Sequence, residues 1–81
     1  MSETRDLQLY IRYTCPFCVK VLRFMDRAGI DLPLHDISVS EDDRRYLVEN
    51  GGKQQVPCLF IDGRALYESD DIIAWMAREL A

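Results

Sequence analysis

The fold is decided by residues 7–18, which read LQLYIRYTCPFC. Residues 7–13 alternate and are rich in strand-forming side chains, so they predict a strand. Apolar residues then recur at helical spacing, at Phe17, Val21, Phe24, Met25 and Ala28. Because proline is favoured at the first helical position, the helix is expected to begin at Pro16. Two cysteines, Cys15 and Cys18, therefore lie where the strand passes into the helix.

The position of Cys15 predicts a reactive thiol. As the residue that caps the helix, it would place its sulfur against unpaired backbone amides at the positive end of the helix dipole. That environment favours the thiolate and can lower a cysteine pKa from roughly 8.5 to about 3.5–7.5. Cys18 lies three residues later on the same helix face, within reach of Cys15 for a disulfide. The spacing therefore predicts redox chemistry by this pair.

Length and composition set limits on the function. The 81 residues are enough for one small domain, 1–81, and 48% of them are hydrophobic. A net charge of −4 gives no general attraction to nucleic acid or to an anionic membrane, and no stretch approaches the ~20 apolar residues of a membrane span. Three cysteines and a polar N-terminal segment argue against a secreted disulfide framework, so we expect a cytoplasmic protein.

Five further elements follow the first strand and helix. They are a short edge strand at 32–37, a helix capped by Ser40 and ended by residues 50–52, a strand at 56–61, a returning strand at 65–67 after the turn Asp62-Gly63, and a helix capped by Ser69. The first crossover should make parallel strands and the hairpin antiparallel ones. The sequence thus predicts an α/β fold of order β-α-β-α-β-β-α, with helices flanking a four-stranded mixed sheet.

Four short motifs occur within this order of strands and helices: residues 12–18, Val56-Pro57, Asp62-Gly63 and residues 69–72. With them the chain resembles, over nearly its whole length, the glutaredoxins, small thioredoxin-fold proteins that use glutathione to reduce disulfides. The resemblance implies a thioredoxin-like fold. It also implies a dithiol mechanism in which Cys15 attacks and Cys18 resolves.

The resemblance further implies a glutathione site. Val56, before a cis Pro57, would offer its backbone amide and carbonyl to the cysteine of glutathione, as an added strand residue would. The backbone at Ser69 and the carboxylate of Asp70 would hold the γ-glutamyl carboxylate and amine. Arg12 stands where these proteins usually carry a lysine. It would help to hold the thiolate and engage the glycine carboxylate.

The chain departs from the usual pattern of the family in three regions. Phe17 replaces a tyrosine, so we expect packing against glutathione without a hydroxyl hydrogen bond. Gln54 and Gln55 stand where a threonine and a basic residue are often found. The run Tyr67-Glu68-Ser69 resembles the glutamate-serine pair of glutathione transferase N-terminal domains, where glutaredoxins commonly have glycines. We therefore interpret the chain as a free-standing glutaredoxin with a transferase-like glutathione pocket.

The expected function is glutathione-dependent reduction of protein disulfides and of glutathione mixed disulfides. Glutathione would be the reductant and co-substrate. The partners would be disulfide-containing or glutathionylated proteins, with no nucleic acid or membrane, and the chain would act as a monomer. The basic residues Lys20, Arg23 and Arg27 on the first helix are expected to form a solvated face, and the alternative is that they steer acidic partners.

Two other functions stay open. The chain could be a thioredoxin-like electron donor to one specific enzyme, or a module that binds glutathione, zinc or an iron-sulfur cluster. A zinc site would combine both motif cysteines with Cys58 and His35, but zinc ligands normally come as two close couples, so no metal is expected. Instead we expect Cys58 to be a small buried apolar residue and His35 to lie on the surface.

Overall fold

The predicted β-α-β-α-β-β-α order is confirmed in the computed structural model, which describes residues 5–81. Residues 1–4, the beginning of the polar N-terminal segment, lie outside the described residues. The elements are β1 (Leu7–Ile11), α1 (Pro16–Ala28), β2 (Leu34–Asp36), α2 (Glu41–Gly51), β3 (Cys58–Ile61), β4 (Arg64–Tyr67) and α3 (Ser69–Glu79). Among residues 5–81, no helix is both long and apolar enough to span a membrane.

The four strands form one mixed sheet in the order β2-β1-β3-β4. β1 runs parallel to β2, whereas β3 is antiparallel to both β1 and β4. This is the mixed sheet that the sequence predicted and the thioredoxin-like arrangement that the resemblance implied, with β2 at an edge as expected. β2 and β3 are shorter than the predicted strands at 32–37 and 56–61. Pro33 and Pro57 directly precede them, and a proline has no N–H to donate to a strand ladder.

The two faces of the sheet carry two separate apolar clusters. Alternate residues of a strand point to opposite faces, so Leu9 and Ile11 lie on one side of β1 and Tyr10 on the other. The first face packs against α1 and α3, the second against α2. Buried residues of the first cluster are Leu9, Ile11, Cys18, Val21, Met25, Leu59, Ile72 and Met76, and those of the second are Tyr10, Ile37, Leu47, Cys58 and Phe60.

Local signals in the sequence mark the beginning and the end of the first two helices. Cys15 is the N-cap of α1 and Pro16 its first residue, as predicted. Ser40 caps α2 by accepting a hydrogen bond from the Asp43 amide at 3.2 Å. Gly29 and Gly52 follow the two helices with φ of 72° and 89°, a left-handed conformation that glycine adopts without steric cost.

The start of α3 differs from the prediction by one residue. Glu68, not Ser69, is the N-cap, and its carbonyl accepts the Ile72 amide at 3.0 Å. Glu68 has φ of 74°, in the region that favours glycine. This conformation turns the chain so that Ser69 is already helical and only 8% exposed.

The prediction that His35 lies on the surface is confirmed only in part, because its side chain is partly buried. Its ring stacks on Tyr10 with centroids 4.4 Å apart, and its side chain is 26% exposed. Nδ1 lies 3.1 Å from a carboxylate oxygen of Asp43, and Nε2 lies 2.6 Å from the amide oxygen of Gln8. An edge strand has one free edge, but helices can still pack on its faces. Here α2 packs on the face of β2 that carries His35.

Gly51, the last residue of α2, leaves space for the ring of Tyr67. A Cβ at Gly51 would lie 2.3 Å from the Tyr67 hydroxyl and 3.4 Å from Phe60. That hydroxyl donates to the Lys53 carbonyl at 3.1 Å, which fixes its position. We therefore expect Gly51→Ala to lower the free energy of unfolding by about 1–3 kcal/mol, measured by urea denaturation.

The Tyr67→Phe background provides the control for this prediction. Removing the hydroxyl removes the shortest contact of the new Cβ, so Gly51→Ala should cost less in that background. An equal loss in both backgrounds would contradict a steric cause.

Candidate active site

The two cysteines of the motif lie at the start of α1 in different environments. Cys15 is partly exposed, and its thiol points at the Val56 carbonyl, 4.0 Å away. Cys18 is fully buried in the first apolar cluster. The backbone N–H of Arg12 donates to the Cys18 sulfur at 3.4 Å. No disulfide joins the two cysteines in this structure, so both are described as free thiols.

The pKa of the Cys15 thiol is lowered below its ordinary value. Partial burial is the largest single influence and acts to raise this pKa. It is outweighed by the Cys18 backbone amide, the Cys18 thiol, the Phe17 amide and the charge of Arg12, which all favour the thiolate. Cys15 forms no capping hydrogen bond of ordinary geometry, so the amides at the start of α1 act mainly as oriented dipoles. A thiolate at this position can attack a disulfide without a separate base.

The pKa of Cys18 moves in the opposite direction. Burial raises it to about 12, against the Arg12 amide, which favours the thiolate. The neighbouring Cys15 also raises this pKa, by its hydrogen bond and by its charge. The pair is therefore divided into an ionisable thiol at the surface and a protonated thiol beneath it.

A cavity of about 330 Å³ lies beside this dithiol, within the range of roughly 300–1,000 Å³ that holds small ligands. It is lined by Phe17, Lys20, Gln55, Val56, Pro57, Glu68, Ser69 and Asp70. Six of these were predicted as site residues, and the fold brings them together from α1, the segment before β3 and the start of α3. The peptide bond before Pro57 is cis, as the resemblance implied.

Two polar features of the backbone face this cavity. The first amides of α3, at Ser69 and Asp70, have no intrahelical partner and lie at the positive end of the helix. Val56 precedes the ladder of β3, and its N–H and C=O make no backbone hydrogen bond to another residue of the described chain. The cavity thus has unpaired helix amides at one wall and the unpaired backbone groups of Val56 at the other.

Sequence reasoning missed two residues of the cavity, Lys20 and Glu68. The Lys20 ammonium pairs with the Asp70 carboxylate, and Gln55 donates to Glu68 at 3.3 Å. Lys20 lies three residues after Phe17 on one helix face, a spacing that could have indicated it. Glu68 was noted for its resemblance to transferases but was not assigned to the site.

Arg12 does not line the cavity, although it was predicted with the other site residues. It lies in the segment between β1 and α1, behind the two cysteines. Its backbone binds the sulfur of Cys18, and its guanidinium charge lowers the pKa of Cys15. In this structure Arg12 therefore acts on the thiols themselves.

The third cysteine, Cys58, is separate from this site. It is fully buried, as predicted, in the second cluster, against which Tyr67 packs. Burial raises its pKa to about 11. Within residues 5–81, no three His, Cys, Asp or Glu side chains are grouped closely enough to hold a metal ion, so the fold does not assemble the Cys₃His set.

Comparison with known sequences gives a consistent result. The sequence model of the glutaredoxin family matches residues 7–66. A probable glutaredoxin of Synechocystis is 29% identical over 75 residues, which cover 91% of this chain and 85% of that protein. Glutaredoxin 3 of Escherichia coli K12 is 26% identical over 73 residues, covering 90% of this chain and 88% of that protein.

Comparison with solved structures supports the fold. The crystal structure of a buckwheat glutaredoxin in complex with glutathione superposes with a TM-score of 0.70 at 20% identity. The superposition covers 93% of this chain and 70% of that one. At this identity the likeness concerns the thioredoxin-like fold alone.

Proposed function

The chain belongs to the glutaredoxin family and is a thiol-disulfide oxidoreductase, and we propose that glutathione is its reductant and co-substrate. One observation carries the proposal. A thiol with a lowered pKa stands beside a cavity that combines the unpaired backbone groups of Val56 with a helix N-terminus. Glutathione is a peptide with an anionic γ-glutamyl end, so it needs both features.

In the proposed complex, glutathione lies across the cavity with its sulfur at Cys15. Its cysteine residue pairs with the backbone of Val56, whose carbonyl is already 4.0 Å from the Cys15 sulfur. The γ-glutamyl carboxylate binds the first amides of α3 at Ser69, and the ammonium binds Asp70. Phe17, 61% exposed, covers the ligand with its ring.

Reduction of a glutathione mixed disulfide needs only Cys15 and free glutathione. The Cys15 thiolate attacks the glutathione sulfur, the disulfide bond breaks, and the substrate leaves as a thiolate that takes a proton from water. Cys15 is then joined to glutathione. A second glutathione thiolate attacks that glutathione sulfur, which releases glutathione disulfide and restores the Cys15 thiolate.

Reduction of a protein disulfide uses Cys18 as well. Cys15 attacks first and becomes joined to one substrate sulfur, while the other substrate sulfur leaves as a thiolate. The negative charge of Cys15 is then gone, so one cause of the raised pKa of Cys18 disappears. The Cys18 thiol gives its proton to the substrate thiolate released in the first step and attacks the Cys15 sulfur. The bond between Cys15 and the substrate breaks, and the second substrate sulfur leaves as a thiolate that takes a proton from water. The resulting Cys15–Cys18 disulfide is reduced by two glutathiones, which leave as glutathione disulfide.

We also infer that residues 1–81 act as one domain and as a monomer in the cytoplasm. Glutathione keeps thiols reduced in that compartment. The substrates there would be glutathionylated or disulfide-containing proteins.

Asp70→Asn tests the proposed binding mode. The substitution removes the charge that pairs with the glutathione ammonium but keeps the size of the side chain. We expect KM for a small glutathione mixed disulfide to rise about tenfold, because a hydrogen bond to a charged group is lost. The assay couples turnover through glutathione and glutathione reductase to consumption of the reduced nicotinamide cofactor.

Asp71→Asn is the matched control, since Asp71 is the next residue of α3 and does not line the cavity. Its KM should stay within about twofold of wild type. No glutathione-coupled turnover by the wild-type protein would overturn the proposal, and turnover with thioredoxin reductase would then support the electron-donor alternative. Equal effects of the two substitutions would refute the role of Asp70.

A further inference from the structure

A second, more open cavity of about 380 Å³ runs along α1. We call it the α1 groove, and it is lined by Tyr13, Val19, Leu22, Arg23, Asp26 and Arg27. It shares no residue with the cavity beside the dithiol. The groove is therefore a separate surface feature of the same helix.

The position of the groove follows from the helical period. Val19, Leu22, Arg23 and Asp26 repeat at three- and four-residue intervals, so they share one face of α1. Cys18, Val21 and Met25 form the face buried against the sheet. Lys20, which the sequence grouped with Arg23 and Arg27, instead points to the other cavity, where it pairs with Asp70.

The charges of the groove are available to a partner. In the described part of the chain, neither Arg23 nor Arg27 forms an ion pair, whereas five other cations do. Two arginines against one aspartate give the groove a net positive charge on a chain whose net charge is −4. Val19 and Leu22, both half-buried, supply an apolar floor between them.

The groove starts one helical turn beyond the reactive cysteine, because Val19, one of its lining residues, donates its backbone N–H to the Cys15 carbonyl at 3.0 Å. Tyr13, another lining residue, is 55% exposed and stands two residues before Cys15. A chain segment in the groove would therefore be continuous with a disulfide held at Cys15, while glutathione would occupy the other cavity.

We propose that the α1 groove binds the chain segment flanking the disulfide of a protein substrate, and that it selects an apolar residue followed by acidic ones. This inference rests on the proposed glutathione-dependent function. The apolar side chain packs on Val19 and Leu22, and the acidic side chains face Arg23 and Arg27. The groove thus provides substrate preference, which the dithiol alone does not.

Geometry fixes the spacing of the preferred sequence. Along a helix axis with a rise of 1.5 Å per residue, Leu22 and Arg23 lie about 10 and 12 Å beyond Cys15, and Arg27 about 18 Å beyond it. An extended peptide advances about 3.3 Å per residue. The apolar residue is therefore expected about three positions from the substrate cysteine, and the acidic residues about four to five positions from it.

Glutathionylated peptides with one cysteine test this proposal. In the first order, a pair of peptides carries leucine at the third position after the cysteine and either two glutamates or two lysines at the fourth and fifth positions. In the second, reversed order, another pair carries the same residues at the same positions before the cysteine. Cys15 attacks the glutathione sulfur, the peptide leaves as a thiol after protonation by water, and glutathione restores Cys15. In one of the two orders, we expect kcat/KM for the glutamate peptide to exceed that for the lysine peptide about three- to tenfold in low salt. The ratio should fall towards one in 0.5 M salt, which screens exposed charges.

Arg23→Glu should reverse this preference, and Arg64→Glu is its control. Arg64 is an exposed residue of β4 outside both cavities, so its substitution changes the net charge equally without altering the groove. Both variants should reduce a small glutathione mixed disulfide at the wild-type rate. That rate separates the two proposals, because its absence in wild type would refute the proposed function.

Three results would overturn the groove proposal while leaving glutathione-dependent turnover intact. The first is equal kcat/KM for glutamate and lysine peptides in both orders, and the second is equal effects of Arg23→Glu and Arg64→Glu. The third is a wild-type dimer, seen by sedimentation, that Arg23→Glu dissociates. In that case the groove would belong to a second copy of the chain, and the inferred monomer would be wrong.

Discussion

Cys15→Ser is expected to lower kcat/KM for a glutathione mixed disulfide by about 1,000-fold or more. A serine hydroxyl of the same shape is not ionised at neutral pH and cannot form a disulfide, so the first covalent step is lost. The structure leaves no substitute, because Cys18 and Cys58 are fully buried with raised pKa values. The glutathione reductase-coupled assay measures this loss directly.

Cys18→Ser is the control for that experiment and separates the two reactions. Glutathione mixed disulfides need only Cys15, so their reduction should stay within about threefold of wild type. Reduction of a protein disulfide should fall about tenfold or more, because its mixed disulfide with Cys15 must then wait for glutathione. Retained turnover in Cys15→Ser would show that the protein's redox activity does not depend on the thiol at the start of α1.

The features that the sequence predicted correctly depend on local signals. Pro16 starts α1 because a proline suits the first turn, and Gly29 ends it because only the left-handed conformation closes the helix there. The apolar stretch at residues 58–61 could be recognised as a buried strand from its own composition. The cis bond at Pro57 and the thioredoxin-like topology came from the family resemblance, which no local signal could replace.

The features that were missed depend on contacts between distant segments. Lys20 belongs to the cavity because α3 places Asp70 beside it, fifty residues later in the chain. His35 is partly buried because α2 packs over β2, and a strand pattern does not reveal which helix lies above it. Glu68 replaces Ser69 as the cap because the chain turns there with a positive φ, which sequence rules do not anticipate for a glutamate.

Alkylation of the reduced protein by iodoacetamide at pH 7 is expected to modify Cys15 at least about 30 times faster than Cys18. The pKa of Cys15 is below the ordinary value of 9.0 and that of Cys18 is about 12, so their thiolate fractions differ at least about 1,000-fold. A thiolate of lower pKa is a weaker nucleophile, which offsets about 30-fold of this difference. Burial of Cys18 adds to the remainder. Peptide mapping by mass spectrometry after short labelling times measures both rates.

The pH dependence of labelling gives the sign of the Cys15 shift. In the folded protein the rate should rise with pH to a plateau, with its midpoint below pH 9.0, because the pKa of Cys15 is lowered from that ordinary value. The same protein unfolded in urea should level off at higher pH, since the amides of α1 and the charge of Arg12 no longer favour the thiolate. Linkage gives the same sign for stability: the contribution of Cys15 is present above its unfolded pKa and is lost as the pH falls through its folded pKa. Activation of Cys15 by the start of α1 would be contradicted if the labelling rate of the folded protein had its pH midpoint at or above that of the unfolded protein.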